Sequence, residues 1–299
     1  MPGITLHFVL AKRVLERWQS TAEAPPFDVH CRRDRNAFLH GALGPDFGYM
    51  PGGHRVLSEL AHRVRTGELS TRLIHSARTS IERAFAWGWL THVLADRQIH
   101  PLIGRGVGEL VHGCRETFVA GSDDLVSHVR IETGVDCTYA LRDGGARSVR
   151  LRPAFDDVSV NFLAHAYAAT YGFRPAQRTL LRSHHCVGLR VRQALTSVRA
   201  VAALMDRSFV SPVLSRVLRT ALGMRLISPV SAAYVTPVRP SAWLMRAIDE
   251  AIPAHTDMFM KIYRDGGADI GDFDLDTGER LVPIPSGGRR IGPRIEEAA

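Results

Sequence analysis

The chain has 299 residues, of which 45% are hydrophobic and 23% are charged, a balance that is typical of a globular protein and excludes disorder along the whole length. The formal net charge is +8, but 36 of the 38 basic residues are arginine, so we interpret the excess as compositional bias as much as a sign of an anionic partner. The four cysteines lie far apart, which is typical of reduced thiols in the cytoplasm and excludes a dense disulfide framework.

The first residues, MPGITLHFVLAKRVLERW, mix apolar with charged side chains and predict no signal peptide. No run approaches about 18 uninterrupted apolar residues, so we expect no membrane-spanning helix. Together with the cysteines, these features predict a cytoplasmic protein.

Helical periodicity dominates the first 140 residues, where apolar side chains recur every three or four positions. The predicted helices of this half cover residues 4–18, 54–78, 80–103, 109–120 and 124 to about 141. Residues 41–53 contain five glycines and two prolines and are predicted to be irregular. A glycine-bearing link over 104–108 is predicted to separate two of the helices.

The second half of the chain is less distinctive. Its predicted helices cover residues 153–172, 175–205, about 210–225 and 239–252. Residues 174–225 hold ten arginines and one acid, a surface that could steer an anionic substrate, lie against an anionic membrane or reflect composition alone. Few aromatic residues accompany these arginines, which gives the stacking of nucleic-acid bases little support.

From Asp265 onward the sequence is rich in glycine and aspartate and predicts a short β-hairpin followed by a loose tail. The alternate residues Asp272, Asp274 and Asp276 are similar to the start of a calcium-binding loop. The sequence lacks the glycine and the final glutamate that such a loop requires, so we interpret these aspartates as part of a solvated hairpin.

The strongest signal for chemistry is the spacing of His92, Asp96 and His100, because positions i, i+4 and i+8 lie on one face of a helix. The surrounding residues are apolar, and a carboxylate with two imidazoles on a buried face costs several kcal/mol unless these groups are paired. A metal ion would pair them, since histidine nitrogen and aspartate oxygen are ordinary zinc ligands.

Further candidate ligands follow the same logic. His128 and Glu132 form a second i, i+4 pair, and Asp46 lies in the loop LGPDFGY, where a carboxylate could be held at a fixed angle. His7 and His62 lie on the predicted helices on either side of that loop. A single pair of this kind is usually a surface feature, and periodicity alone does not bring the groups together in space. Three other histidines are alternative ligands that suit surface positions better: His54, His75 and His112.

Four motifs occur in the order FLHGALGPDFGYMPGG, LAHRVRTGEL, AFAWGWLTHVLADRQIHP and HVRIETGVD. In this order they resemble the zinc-dependent phospholipase C family, and most closely its intracellular bacterial branch. The resemblance covers about residues 1–140 and implies an all-α, multi-helix bundle of the kind shared with P1-type single-strand nucleases. In such a bundle, zinc ions lie between the helices.

The resemblance implies eight metal ligands, all of them histidines or carboxylates: His7, Asp46, His62, His92, Asp96, His100, His128 and Glu132. The four residues from Asp46 to Asp96 would hold one zinc ion, and the three from His100 to Glu132 a second. His7 would serve a third ion, to which Asp96 would bridge. Asp46 would also be the catalytic residue that orients or deprotonates the attacking water.

Secreted members of the family complete the third site with an N-terminal tryptophan that signal cleavage exposes. The present chain begins Met-Pro-Gly-Ile, so we expect two zinc ions, and a third only where another group completes the His7 site. The interval from Asp96 to His100 is also shorter than in the secreted enzymes, which leaves the exact partner of the second ion open.

We therefore expect a zinc-dependent phosphodiester hydrolase that acts on a phospholipid, at an anionic membrane surface, or on a related phosphodiester. Two alternatives stay open: a nuclease or small-molecule phosphoesterase with the same metal cluster, and a non-catalytic, metal-stabilised helical scaffold. The expected organisation is a metal-binding helical region over 1–142, a helical, arginine-rich remainder over 153–264 packed on it, and a Gly/Asp-rich hairpin with a loose tail over 265–299.

Overall fold

The computed structural model describes residues 3–49, 53–142, 157–184, 237–268 and 270–281, and its regular secondary structure is helical, as the sequence predicts. The helices are α1 (Ile4–Ser20), α2 (Arg32–Gly41), α3 (Arg55–Arg63), α4 (Thr66–Ser76), α5 (Ser80–His112), α6 (Leu125–Arg142), α7 (Asp157–Tyr171), α8 (177–184) and α9 (Ala242–Arg264). A short 3-10 helix, Gly44–Tyr49, follows α2. None of the helices in these ranges has the length and apolarity needed to cross a bilayer.

Helix α5 is the central element, and the sequence accounts for both of its ends. Thr79 accepts a hydrogen bond from the Glu82 amide while the Glu82 carboxylate accepts from the Thr79 amide, which is the capping box that starts a helix. At the other end, Gly113 takes the left-handed conformation, with φ of 68°. Between these caps the helix is apolar on nearly all sides, so it is buried by α1, α2, α4, α6 and α9.

The predicted break at 104–108 is wrong, because α5 continues through these glycines to His112. Their small size serves packing: a methyl group on Gly108 would lie 1.8 Å from the carbonyl oxygen of Thr117. The predicted single helix over 54–78 is divided instead into α3 and α4, with Arg65 between them at φ of 49°. The predicted helix over 210–225 and most of the arginine-rich segment lie outside the described residues.

The predicted C-terminal hairpin is not supported in the described residues 270–281. Phe273 and Arg280 make an isolated antiparallel bridge, and no strand is found in the described part of this segment. The Asp272 carboxylate accepts from the amides of Gly67 and Glu68 at the start of α4, so this part of the chain lies against that helix. We call residues 270–281 the C-terminal loop.

Within the described residues, the core consists of two hydrophobic clusters of buried residues. The larger includes Trp18, Phe38 and Trp89, and the smaller includes Ile99 and Leu244. Helix α5 contributes to both clusters, so its polar residues are fixed on a helix that is packed along its length.

Candidate metal centre

The polar face of α5 presents His92, Asp96 and His100 at successive turns, and all three side chains are buried. His92 Nε2 lies 3.1 Å from Asp96 Oδ2, and His100 Nε2 lies 4.0 Å from Asp96 Oδ1. The carboxylate of Asp96 thus has an imidazole on either side of it along the helix.

Two further histidines reach Asp96 from other helices. His7 of α1 places Nε2 at 3.2 Å from Asp96 Oδ1, and its ring stacks on that of His92 with 4.1 Å between centroids. His62 of α3 places Nε2 at 3.4 Å from Asp96 Oδ2 and also at 3.4 Å from Asp46 Oδ1. The 3-10 helix therefore delivers Asp46 to the same place as α1, α3 and α5.

A second group forms where α5 meets α6. His100 Nε2 lies 3.4 Å from Glu132 Oε1, and His128 Nε2 lies 2.9 Å from the same oxygen. His128 and Glu132 come from successive turns of α6, as their spacing predicts.

Each of three sets of ligand atoms fits within 4.8 Å, the geometry that a single metal ion requires: His7 with His92 and Asp96; Asp46 with His62 and His92; and His100 with His128 and Glu132. The eight residues named from the sequence thus lie together as one buried cluster. The allocation of each ligand to an ion stays a prediction. Each alternative histidine is exposed in the structure and belongs to none of the three sets: His54, His75 and His112.

The carboxylates show whether a cation fits here. Both oxygens of Asp46 and both oxygens of Asp96 are buried, and within the described residues no amide or hydroxyl donates to them. Their near neighbours are imidazole Nε2 atoms at 3.1–3.4 Å. A buried carboxylate without partners costs several kcal/mol. A divalent ion would remove that cost, and the nitrogen and oxygen donors are of the types that zinc prefers. The residues present therefore fit a metal centre.

The second ring nitrogens of three histidines strengthen this conclusion. His62 Nδ1 donates to the carbonyl of Ser58 at 2.7 Å, and His92 Nδ1 donates to that of Ala42 at 3.0 Å. His100 Nδ1 donates in the same way to a carbonyl of the C-terminal loop. Because Nδ1 carries the proton, the Nε2 lone pair of the neutral ring faces the cluster, which is the arrangement found in metal-binding histidines.

The protonation of these groups reflects their mutual contacts. Burial opposes the charge on His62, but the carboxylates of Asp46 and Asp96 raise its pKa to about 10. Burial likewise opposes the charge on Asp96, yet His92 and His100 hold the pKa of this carboxyl well below its usual range. Without metal, protons therefore occupy the places between imidazoles and carboxylates that a cation would take.

We expect zinc binding to release protons. The pKa of His62 is raised to about 10 and that of His100 to about 8, so near neutral pH both rings are positively charged in the metal-free protein, with a proton on each nitrogen. Zinc requires the Nε2 lone pair, so binding at about pH 7 should expel about two protons per chain, and the affinity should fall as the pH is lowered. Calorimetric titrations in buffers with different ionisation enthalpies measure this number.

His62→Gln should lower the number of released protons, whereas the exposed His75→Gln should leave it unchanged. Identical heats of binding in all buffers would show that protons and zinc do not compete for these nitrogens.

Ser58 ties the helix that carries His62 to the segment that carries Asp46. Its hydroxyl donates to the carbonyl of Pro45 and accepts from the amide of Gly48 at 2.8 Å. The side chain is fully buried, so no water can replace these bonds. Ser58 therefore fixes Asp46 relative to His62, and the sequence motifs do not indicate this role.

The substitution Ser58→Ala is expected to destabilise the protein by about 1–3 kcal/mol, because the buried Gly48 amide loses its acceptor. It should also weaken zinc binding, since Asp46 loses its anchor. Thermal unfolding and a chelator-competition titration measure the two effects. Ser70→Ala is the matched control, because the Ser70 hydroxyl is also buried but, among the residues that the structure describes, donates to the Thr66 carbonyl of its own helix and not to the Asp46 segment. Equal effects of both substitutions would contradict the anchoring role.

Comparison with protein families matches residues 6–174, more than half of the chain, to the family described as zinc dependent phospholipase C. All eight residues of the cluster lie within the matched region. Comparisons with curated proteins and with solved structures find no match. The match confirms the resemblance that the four sequence motifs indicate: the chain belongs to the zinc-dependent phospholipase C family.

Proposed function

We propose that the protein hydrolyses a phosphodiester bond of a phospholipid by attack of a water molecule, with zinc held by the eight-residue cluster. The observation that supports the proposal is the set of buried carboxylate oxygens on Asp46 and Asp96 with imidazole Nε2 atoms 3.1–3.4 Å away, the other ring nitrogens of His62 and His92 being bonded to main-chain carbonyls. Zinc bound there would polarise the phosphoryl oxygens and lower the pKa of a water towards about 7.

Asp46 is the residue that we assign to the attacking water. Burial opposes its negative charge, but His92 and His62 hold its pKa below the ordinary value, so it is a carboxylate at neutral pH. Its carboxylate lies in the cluster, with Oδ1 at 3.4 Å from His62 Nε2, and can accept a proton from a water. Ser58 bonds to the main chain on both sides of Asp46, so it fixes the backbone that carries the carboxylate.

We assign the binding of the zinc ions to the remaining cluster residues. Asp96 lies in contact with His7, His62 and His92, so it would bridge neighbouring ions. His100, His128 and Glu132 would hold a second ion on the α6 side. Two ions are proposed, and a third at His7 where a further group completes its coordination.

The rest of the proposal concerns organisation and partners. We propose that the metal-binding region spans 1–142, that 153–264 packs on it, and that 265–299 follows as a Gly/Asp-rich segment. Helix α9 supports this division, because it packs on α1 and α5. The arginine-rich residues 174–225 would face an anionic lipid surface, although from residue 185 they lie outside the described residues.

Turnover of three substrates tests the proposal: vesicles of a headgroup-bearing phospholipid, single-stranded nucleic acid, and a small chromogenic phosphodiester. We expect release of the phosphorylated headgroup, loss of this activity with a chelator, and its recovery with zinc. Hydrolysis of nucleic acid in preference to lipid would favour a nuclease instead. Zinc that raises the melting temperature without hydrolysis of any of the three would favour a structural scaffold.

A further inference from the structure

The C-terminal loop makes main-chain contacts with the metal cluster, although it lies about 100 residues beyond the end of the family match at residue 174. The carbonyl of Leu275 accepts from His100 Nδ1 at 2.6 Å. The amide of the same residue donates to the carbonyl of His62 at 2.8 Å. One buried residue of this loop therefore contacts ligands of both metal groups, and its carbonyl sets which nitrogen of His100 faces Glu132.

Asp276 holds the loop at the α6 side of the cluster. Its carboxylate contacts the Arg63 guanidinium at 3.3 Å and accepts from the Gly121 amide at 3.3 Å, and its side chain is only 12% exposed. Gly121 is in turn tight against His128, since a methyl group there would lie 3.2 Å from His128 Nδ1 and 2.8 Å from Asp276 Oδ1. If Asp276 moved, the Leu275 carbonyl would lose its fixed position beside His100. Gly121 would also lose its bond to Asp276 and its fixed position beside His128.

The other aspartates and a glycine complete the attachment. Asp272 caps α4, and Asp274 accepts from the amides of Asp276 and Thr277 within the turn. Gly278, at φ of 73°, lies so close to α5 that a methyl group would be 2.7 Å from Pro101 Cγ, one residue beyond His100. The interpretation of these aspartates as part of a solvated hairpin is therefore not supported, because Asp272 and Asp276 accept from main-chain amides of other elements.

We propose that the C-terminal loop is a positioning element for the second metal group, with Asp276 as the side chain that holds the Leu275 carbonyl against His100. The inference rests on the proposed function, because it assumes that His100, His128 and Glu132 bind zinc. We do not assign the loop's aspartates as metal ligands. They hold the loop in place, and its Leu275 carbonyl orients His100. It follows that the metal centre depends on a segment outside the part of the chain that the family shares.

The test measures zinc affinity by chelator competition and the absorption spectrum after cobalt substitution, both on the full chain. Asp276→Ala should weaken the binding of one ion by tenfold or more and change the spectrum of that ion only, with the other ion unaffected. Asp276→Asn keeps an acceptor for the Gly121 amide but loses the charge that faces Arg63, so a smaller loss is expected. This second variant decides the question should the alanine variant fail to fold.

Asp257→Ala is the control, because Asp257 also pairs with an arginine, Arg17 at 2.8 Å, but is 69% exposed on α9. It should bind zinc as the wild type does. Wild-type affinity for every ion in Asp276→Ala, or in Asp276→Asn where that variant decides, would overturn the positioning role alone. Wild-type protein without any bound zinc would instead overturn the proposed function, so the two failures are distinguishable.

Discussion

The substitution Asp96→Asn is expected to remove at least one zinc ion per chain and to lower phosphodiester turnover about 1,000-fold or more, about 4 kcal/mol of transition-state stabilisation. The reason is the position of this carboxylate, whose two oxygens lie within 3.4 Å of His7, His62 and His92. An amide of the same shape keeps the packing but carries no negative charge for the metal. Elemental analysis of the purified variant and its turnover rate measure the two effects.

Asp34→Asn is the matched control for this experiment. Asp34 is also a buried carboxylate on a helix, but its partner is the hydroxyl of Ser80, and it belongs to none of the three ligand sets. The control should keep the zinc content and turnover of the wild type, even where its melting temperature falls. Full zinc content and activity in Asp96→Asn would show that Asp96 is not needed as a zinc ligand.

The substitution Asp46→Asn is expected to lower turnover by about 100- to 10,000-fold, the range that a general base contributes, while largely sparing the fold. Asparagine fits the same buried space but cannot take the proton of the attacking water. His62, His92 and Asp96 remain as ligands, so the variant should still load zinc when the metal is in excess. Rates at saturating zinc, with zinc content and thermal unfolding measured on the same samples, separate a catalytic loss from a loss of metal.

Two outcomes would contradict this role for Asp46. Full activity in Asp46→Asn would show that the carboxylate does not act on the water. Activity restored to the wild-type level by raising the zinc concentration would reduce Asp46 to a ligand without a catalytic part.

The candidate ligands could be identified from the sequence because each one is a side chain at a regular spacing. His92, Asp96 and His100 share a face of α5 through local geometry alone, and the buried surroundings follow from the apolar residues between them. The convergence of α1, α3 and α6 on that face depends on long-range packing. In the sequence, only the resemblance to a family indicates this convergence.

The features that the sequence predicts wrongly or does not indicate depend on main-chain groups and on long-range packing. The Leu275 carbonyl and the Gly48 amide are main-chain groups, which carry no residue identity, so no motif marks their role. The glycines at 104–108 indicate a break when read locally, yet a glycine such as Gly108 serves close packing within a continuous helix. The aspartates of the C-terminal loop look solvated in sequence because the amides that they cap lie up to 205 residues away.

The central claim is that the buried cluster binds zinc, and the metal content of the protein tests it most directly. The protein should be purified without chelator and its metals determined by elemental analysis, with Asp34→Asn and Asp96→Asn prepared in parallel. We expect two or more zinc ions per chain in the wild type and in Asp34→Asn, and fewer in Asp96→Asn. Less than one zinc ion per chain in the wild type would contradict the claim.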